Sequence, residues 1–167
     1  MKRNLIASLV LTFITVSLYA QDPNILWQRT IGGSDWDQPS FISKTNDGGF
    51  VVGGFSESNI SGEKTENSRG GYDYWVVKFD NSGNIQWQKT LGGDQDDYLR
   101  KIIQISDDGY IVLGYSSSGI SGDKTENSQG GTDYWILKLD VSGNIMWQKT
   151  IGSDDNDTVA DVEQAAD

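Results

Sequence analysis

The sequence repeats itself without a gap at a period of sixty residues. Trp27-Gln28-Arg29-Thr30-Ile31-Gly32-Gly33 returns as Trp87-Gln88-Lys89-Thr90-Leu91-Gly92-Gly93 and again as Trp147-Gln148-Lys149-Thr150-Ile151-Gly152-Ser153. The same offset carries Asp73-Tyr74-Trp75 onto Asp133-Tyr134-Trp135. It also carries Lys64-Thr65-Glu66-Asn67-Ser68 onto Lys124-Thr125-Glu126-Asn127-Ser128. A gapless repeat means that each unit makes the same contacts to its neighbours.

Within a unit the signals are those of strands. The run 49–56 is rich in Val and Phe and is entered through Asn46-Asp47-Gly48-Gly49, a turn composition. Over 74–80 apolar residues alternate, with Trp75, Val77 and Phe79 on one face and Tyr74, Val76 and Lys78 on the other. Asn81-Ser82-Gly83-Asn84 reads as a turn. It leads into 85–91, with Ile85, Trp87 and Leu91 on one face and Gln86, Gln88 and Thr90 on the other. A shorter strand at about 40–45 completes four antiparallel strands per unit, and 56–71 reads as a long loop. The fold class expected is all-β, as four-stranded antiparallel meander repeats. Blades of a β-propeller bury both faces of such a meander against their neighbours. A β-solenoid and a stack of small sandwiches are the competing architectures.

Composition narrows the chemistry. The 167 residues contain no His and no Cys. That removes a Ser-His-Asp triad, a Cys nucleophile and any His/Cys zinc or haem site. Thirteen Lys+Arg against 24 Asp+Glu give a net charge of −11, which argues against nucleic acid and anionic membranes as partners.

Residues 1–20 read as a signal peptide. Lys2 and Arg3 precede an uncharged apolar stretch from Leu5 to Leu18, and polarity begins at Gln21. The stretch is short for a membrane span, which needs about 20 apolar residues. Leu18 is larger than the small residue usual before a cleavage site, so the cut is placed only to within a few residues. The mature chain is expected to be secreted, free of the membrane and without disulfides.

Two resemblances rest on these residues. Lys78-Phe79-Asp80-Asn81-Ser82-Gly83-Asn84-Ile85-Gln86-Trp87, repeated through Asp140, Gly143 and Trp147, resembles the Trp motif by which blades of quinoprotein-type propellers dock. The whole unit is similar to secreted bacterial propeller-repeat proteins. The matching residues are Gly92-Gly93, Asp96-Asp97, Asp107-Asp108-Gly109-Tyr110, Asp133 to Asp140 and Ser142 to Trp147. The resemblance implies an extracellular or cell-surface protein of a type that often carries a type IX secretion sorting domain. It implies a periplasmic one if no sorting domain is present.

The divisions expected are a lone last strand in 24–33, full repeats at 34–93 and 94–153, and a third repeat begun over 154–167, with a strand at 158–164. Propellers close with about four to eight blades, so an incomplete ring is expected from 21–167. It would belong to a longer reading frame, or be completed by self-association through unpaired blade faces.

Candidate sites are few. Asp94, Asp96 and Asp97, with Asp154, Asp155 and Asp157, have the oxygen density of a weak Ca²⁺ site but not the spacing of a dedicated calcium loop. The blander reading of these pairs, and of Asp107-Asp108, is solvated turn residues. Lys64, Glu66 and Asn67, with Lys124, Glu126 and Asn127, form a repeated loop that would suit a ligand-binding rim. Recent duplication explains their identity equally well. Trp75, Trp87, Trp135 and Trp147 read as core and the unrepeated Trp36 as exposed. No catalytic residue and no cofactor beyond Ca²⁺ is assigned. The functional expectation is a non-catalytic binding or structural protein whose partner is a protein or glycan. The alternative is part of a secreted propeller enzyme, quinoprotein-like or carbohydrate-active.

Overall fold

A computed structural model describes residues 24–165; the proposed signal peptide lies outside them. The described chain is all-β and contains no helix. Eight strands follow in order: β1 (Asp37–Lys44), β2 (Phe50–Ser56), β3 (Asp73–Phe79), β4 (Ile85–Leu91), β5 (Asp97–Gln104), β6 (Tyr110–Ser116), β7 (Asp133–Leu139) and β8 (Ile145–Ile151). They form two antiparallel meanders, β1-β2-β3-β4 and β5-β6-β7-β8. Each sheet is one sixty-residue unit.

The registers of the two sheets are the same. A bulge at Ser40 in β1 recurs at Arg100 in β5. A second bulge between Lys78 and Phe79 on one strand and Ile85 and Trp87 on the other recurs between β7 and β8. These bulges correct two expectations. β1 is eight residues long and starts at Asp37, because Pro39 sits at a sheet edge, where a missing N–H costs no ladder bond. Ile85 does not share a face with Trp87, because the extra residue Gln86 flips the alternation.

The main core lies between the sheets. Val51, Tyr74, Val76 and Leu91 of the first sheet meet Leu99, Ile102, Tyr110, Val112, Trp135, Leu137 and Leu139 of the second. Tyr74 packs 4.9 Å from Trp135 and donates its hydroxyl to the Trp135 carbonyl at 3.2 Å. The other face of the first sheet carries Trp75, Val77 and Phe79, covered in part by Ile31. Position in the stack, not residue type, sets burial. Ile102 is fully buried, while its repeat mate Ile42 is 62% exposed. Leu91 is 4% exposed, while its mate Ile151 is 49% exposed.

Trp87 joins the units at their rim. Its indole N–H donates to the Val141 carbonyl at 3.1 Å, and its ring meets Tyr110 edge-on at 5.5 Å. The turn residue Gly143 has φ +82°, and a Cβ there would lie 2.9 Å from the Trp87 ring. Trp27 repeats the arrangement against Gly83 and Phe50.

Neither flanking segment is a strand. Residues 24–33 and 158–164 have no ladder partner among the described residues. They keep the contacts of the repeat nonetheless. Gln164 Oε1 accepts from the Ser106 N–H at 3.1 Å, as Gln104 Oε1 accepts from the Asn46 N–H at 2.8 Å. The Asp157 N–H donates to the Thr132 carbonyl at 2.6 Å, as the Asp97 N–H does to Tyr72.

Glycines of the same φ separate docking from turn geometry. Gly48 also has φ +82°, but a Cβ there meets nothing within 4 Å. Gly48→Ala should cost about 1 kcal/mol, the strain of a left-handed residue. Gly143→Ala should cost at least about 2 kcal/mol, because Trp87 must also move. Urea unfolding of both variants measures the difference, and equal costs would refute the docking role of Gly143.

Candidate functional site

Three places gather polar side chains: the long loop of each unit, a belt of carboxylates at the strand ends, and a cleft between the sheets. In the Lys-Thr-Glu-Asn-Ser loop the lysine points inward, while Thr65 and Asn67, with Thr125 and Asn127, are exposed. Lys64 and Lys124 are buried, and each ammonium donates to the backbone carbonyl of Glu66 or Glu126 at 2.8 Å. Lys124 also donates to the Thr150 hydroxyl at 3.0 Å. Burial pushes both lysines down, against the pull of Asp73 and Asp37 on Lys64 and of Asp97 and Asp133 on Lys124. Glu66 accepts from the Thr90 N–H at 2.7 Å, and Glu126 from the Thr150 N–H at 2.6 Å. Asn67 and Asn127 accept from the N–H groups of Ile60 and Ile120. The identity of the two loops therefore has a structural cause, since each polar group is engaged within its own unit.

The second gathering went unseen in the sequence. The first residue of β1, β3, β5 and β7 is in each case an Asp. Asp37 and Asp73 flank Ser56 across the first sheet, and Asp97 and Asp133 flank Ser116 across the second. Asp73, Asp97 and Asp133 are fully buried, and the Oδ1 atom of each has no hydrogen-bond partner. Asp73 Oδ2 accepts from the Arg69 N–H at 2.5 Å, and Asp97 Oδ2 from the Gly93 N–H at 2.7 Å and the Ser118 hydroxyl at 3.0 Å. Gly92 separates the Asp73 and Asp97 carboxylates. A Cβ there would fall 1.6 Å from Asp73 Oδ1 and 2.9 Å from Asp97 Oδ2. Asp97 is thus a buried structural residue and not a solvated turn residue.

The remaining calcium candidates diverge. Asp94 accepts from the Ser121 hydroxyl at 2.8 Å, Asp96 from the Tyr72 N–H at 3.1 Å, and Asp157 from the Ser153 N–H at 2.6 Å. Asp154 and Asp155 are exposed. Among the described residues no three carboxylates converge on one point. Asp107 pairs closely with Lys138, which holds its carboxyl below the usual range. Trp75 and Trp135 are core, and Trp36 is exposed, as expected. Trp147 is not core: it is 47% exposed, because no further sheet covers it as the second sheet covers Trp87.

The third gathering is a cleft of about 540 Å³ between the two sheets, at the end opposite the carboxylate belt. Its lining includes Asn46, Asp47, Lys78, Gln86, Trp87, Gln104, Asp108, Tyr110 and Val141. The Lys78 ammonium, almost fully buried, donates to Asp47 Oδ2, Gln86 Oε1 and the Phe79 carbonyl, each at 2.8 Å. The Lys78 hydrogen bond holds Asp47 down to about 2, helped by the Thr45 hydroxyl and the Gly49 N–H. Across the cleft, Asn46 Nδ2 donates to Asp108 Oδ1 at 2.9 Å, and Gln104 Nε2 donates to the Asp108 carbonyl at 3.1 Å. Burial first, then the Asp47 and Asp108 charges, push Tyr110 up to about 12. One signal for this site was present in the sequence. Asp108 stands where the repeat has Gly48, and Gln86 where it has Leu26 and Met146.

No protein-family model matches the chain. Among curated proteins, it is 24% identical over 153 residues to the regulatory protein FlaEY of Caulobacter vibrioides. The match covers 86% of this chain and 16% of that protein, so the chain spans a small part of the curated relative's length.

The carboxylate belt predicts a pH dependence. Burial, with the Asp97 charge adding to it and the Arg69 N–H, Arg69 and Lys64 opposing it, raises Asp73 to about 6, from 3.8 for an unperturbed carboxyl. The folded chain then binds more protons than the unfolded chain across that window. The contribution is fully present below about 4 and lost as pH rises through about 6. Wild type should therefore lose stability relative to Asp73→Asn between about pH 4.5 and 7.5. Urea unfolding at both values measures this, and a constant difference would refute it.

Proposed function

We propose that the chain is a secreted, non-catalytic propeller-repeat protein, or part of one, with a binding or structural role outside the cell. On this reading each meander is a blade, and the inter-sheet cleft is where a partner binds. The observation that carries it is the transferable contact between units. Trp87 docks on Gly143 and Trp27 on Gly83, while Gln104 and Gln164 bond the equivalent backbone of Asn46 and Ser106. Each of these contacts recurs at two successive junctions, which is what a ring or array of like units requires.

A non-catalytic role is supported by how the carboxylates are used. Asp97 and Asp157 anchor turns, Asp73 and Asp133 anchor loops, and Asp47 and Asp107 pair with lysines. A glycosidase needs one carboxyl held as a general acid opposite a second one across a substrate. The likeness to FlaEY, over 16% of that protein, fits a shared building unit; the regulatory role in its name is not carried over.

Fractionation of the native host with mass spectrometry of the mature N-terminus tests export. The expected result is a protein outside the cytoplasm that begins within a few residues of Gln21. A cytoplasmic protein that retains residues 1–20 would overturn it. The same material, incubated with a quinone cofactor and an electron acceptor or with chromogenic glycosides, should show no turnover. Turnover would establish the enzymatic alternative.

A further inference from the structure

We infer that the cleft between the two sheets is a binding site for a neutral carbohydrate, an inference that rests on the non-catalytic binding role proposed above. Three observations carry it: a strained residue, a break in the repeat and the charge balance of the lining.

Asp108 is the one non-glycine residue with positive φ among the described residues, at +62°. Its repeat mate Gly48 adopts the same region without a side chain. A non-glycine residue in that region costs of order 1–3 kcal/mol, and such residues cluster at ligand sites. The strain places a carboxylate on the cleft wall where the other unit has a hydrogen atom. Asp108 Oδ1 is held by Asn46, while Oδ2 has no hydrogen bond among the described residues.

The lining departs from the repeat at two polar positions that the docking of the units does not use, Gln86 and Asp108. Gln86 replaces the apolar type seen at Leu26 and Met146, and Asp108 the glycine seen at Gly48, whereas Gln104 is a docking residue shared with Gln164. Trp87, which docks the units, and Lys78, whose bonds lie within its own unit, keep their repeat identities as Trp147 and Lys138. The two substitutions exchange an apolar group for an amide and a hydrogen atom for a carboxylate.

Charge selects the ligand. The one ammonium in the lining is neutralised by Asp47 and saturated by Gln86 and the Phe79 carbonyl. No cation is left to receive an anionic ligand, and Asp108 repels one. What remains is a half-buried indole backed by the buried Tyr110, the amides of Asn46 and Gln86 and the Asp108 carboxylate, in a cleft of ligand size. An aromatic wall takes the C–H face of a sugar ring, and the amides and carboxylate take its hydroxyls.

Saturation-transfer NMR with cellobiose, maltose, lactose and chitobiose tests the inference on the full chain, with glucose 6-phosphate as the anionic control. At least one neutral sugar should give a saturable signal, and the sugar phosphate a weaker one. Asp108→Gly restores the residue of the other unit and relieves the φ strain, so it should fold at least as stably as wild type yet bind at least tenfold more weakly. Gln86→Met, again the residue of the other unit, should weaken binding while the fold persists. The inference is overturned if no neutral sugar binds, if the sugar phosphate binds best, if binding requires added Ca²⁺, or if Asp108→Gly binds as wild type. Any of those outcomes leaves the export and turnover results untouched, so failure of the ligand class and failure of the broader reading are read separately.

Discussion

Each sheet is apolar on both faces, and that constraint organises everything else. Tyr74 and Val76 point one way from β3, Trp75 and Val77 the other, and every residue of that strand is buried. A four-stranded meander cannot hide both faces by itself. It must be sandwiched, and the second sheet does this for one face of the first through the Tyr74–Trp135 contact and the apolar side chains around it. Burial of a large apolar side chain contributes roughly 1.5–3 kcal/mol. The shared core, with some ten such residues from both units, is therefore the principal stabilising term. Trp87 and Gly143 fix the distance and angle at which the two faces meet.

The carboxylate belt works against that stabilisation. Three Asp residues are fully buried with one oxygen each unpaired, beside two buried lysines. A buried charge is costly unless it is paired and hydrogen-bonded. The belt is nevertheless retained in both units, and each carboxylate takes a backbone N–H from the loop four residues away in sequence. Its role is geometric: it ties the long loop and the Gly92 connection to the strand ends. The result is one end closed by buried carboxylates and an open end with the cleft.

Much of the architecture was legible in the sequence. The repeat and the strands near 74–80 and 85–91 follow from period and alternation, because alternation reports faces and identity at fixed spacing reports equivalent contacts, while the docking role of Trp87 is what the resemblance implied. The bulges did not show, since an extra residue such as Gln86 breaks alternation in the way noise does. The belt did not show because Asp73 and Asp97 look like turn residues by composition, and only the register places them inside. The burial of Lys64 did not show for the same reason: lysine is a surface type, buried here because the Glu66 carbonyl and the Ser68 hydroxyl satisfy it. The cleft was half legible. The exchange of Gly48 for Asp108 is visible in an alignment of the two units, but its meaning depends on φ and on what lies opposite.

The central claim is that the two sheets are one cooperative body held by their shared core. Differential scanning calorimetry of residues 21–167 tests it most directly. The account predicts a single transition whose calorimetric and van't Hoff enthalpies agree. Two separable transitions, or a van't Hoff enthalpy near half the calorimetric value, would mean that each sheet folds alone and would contradict it.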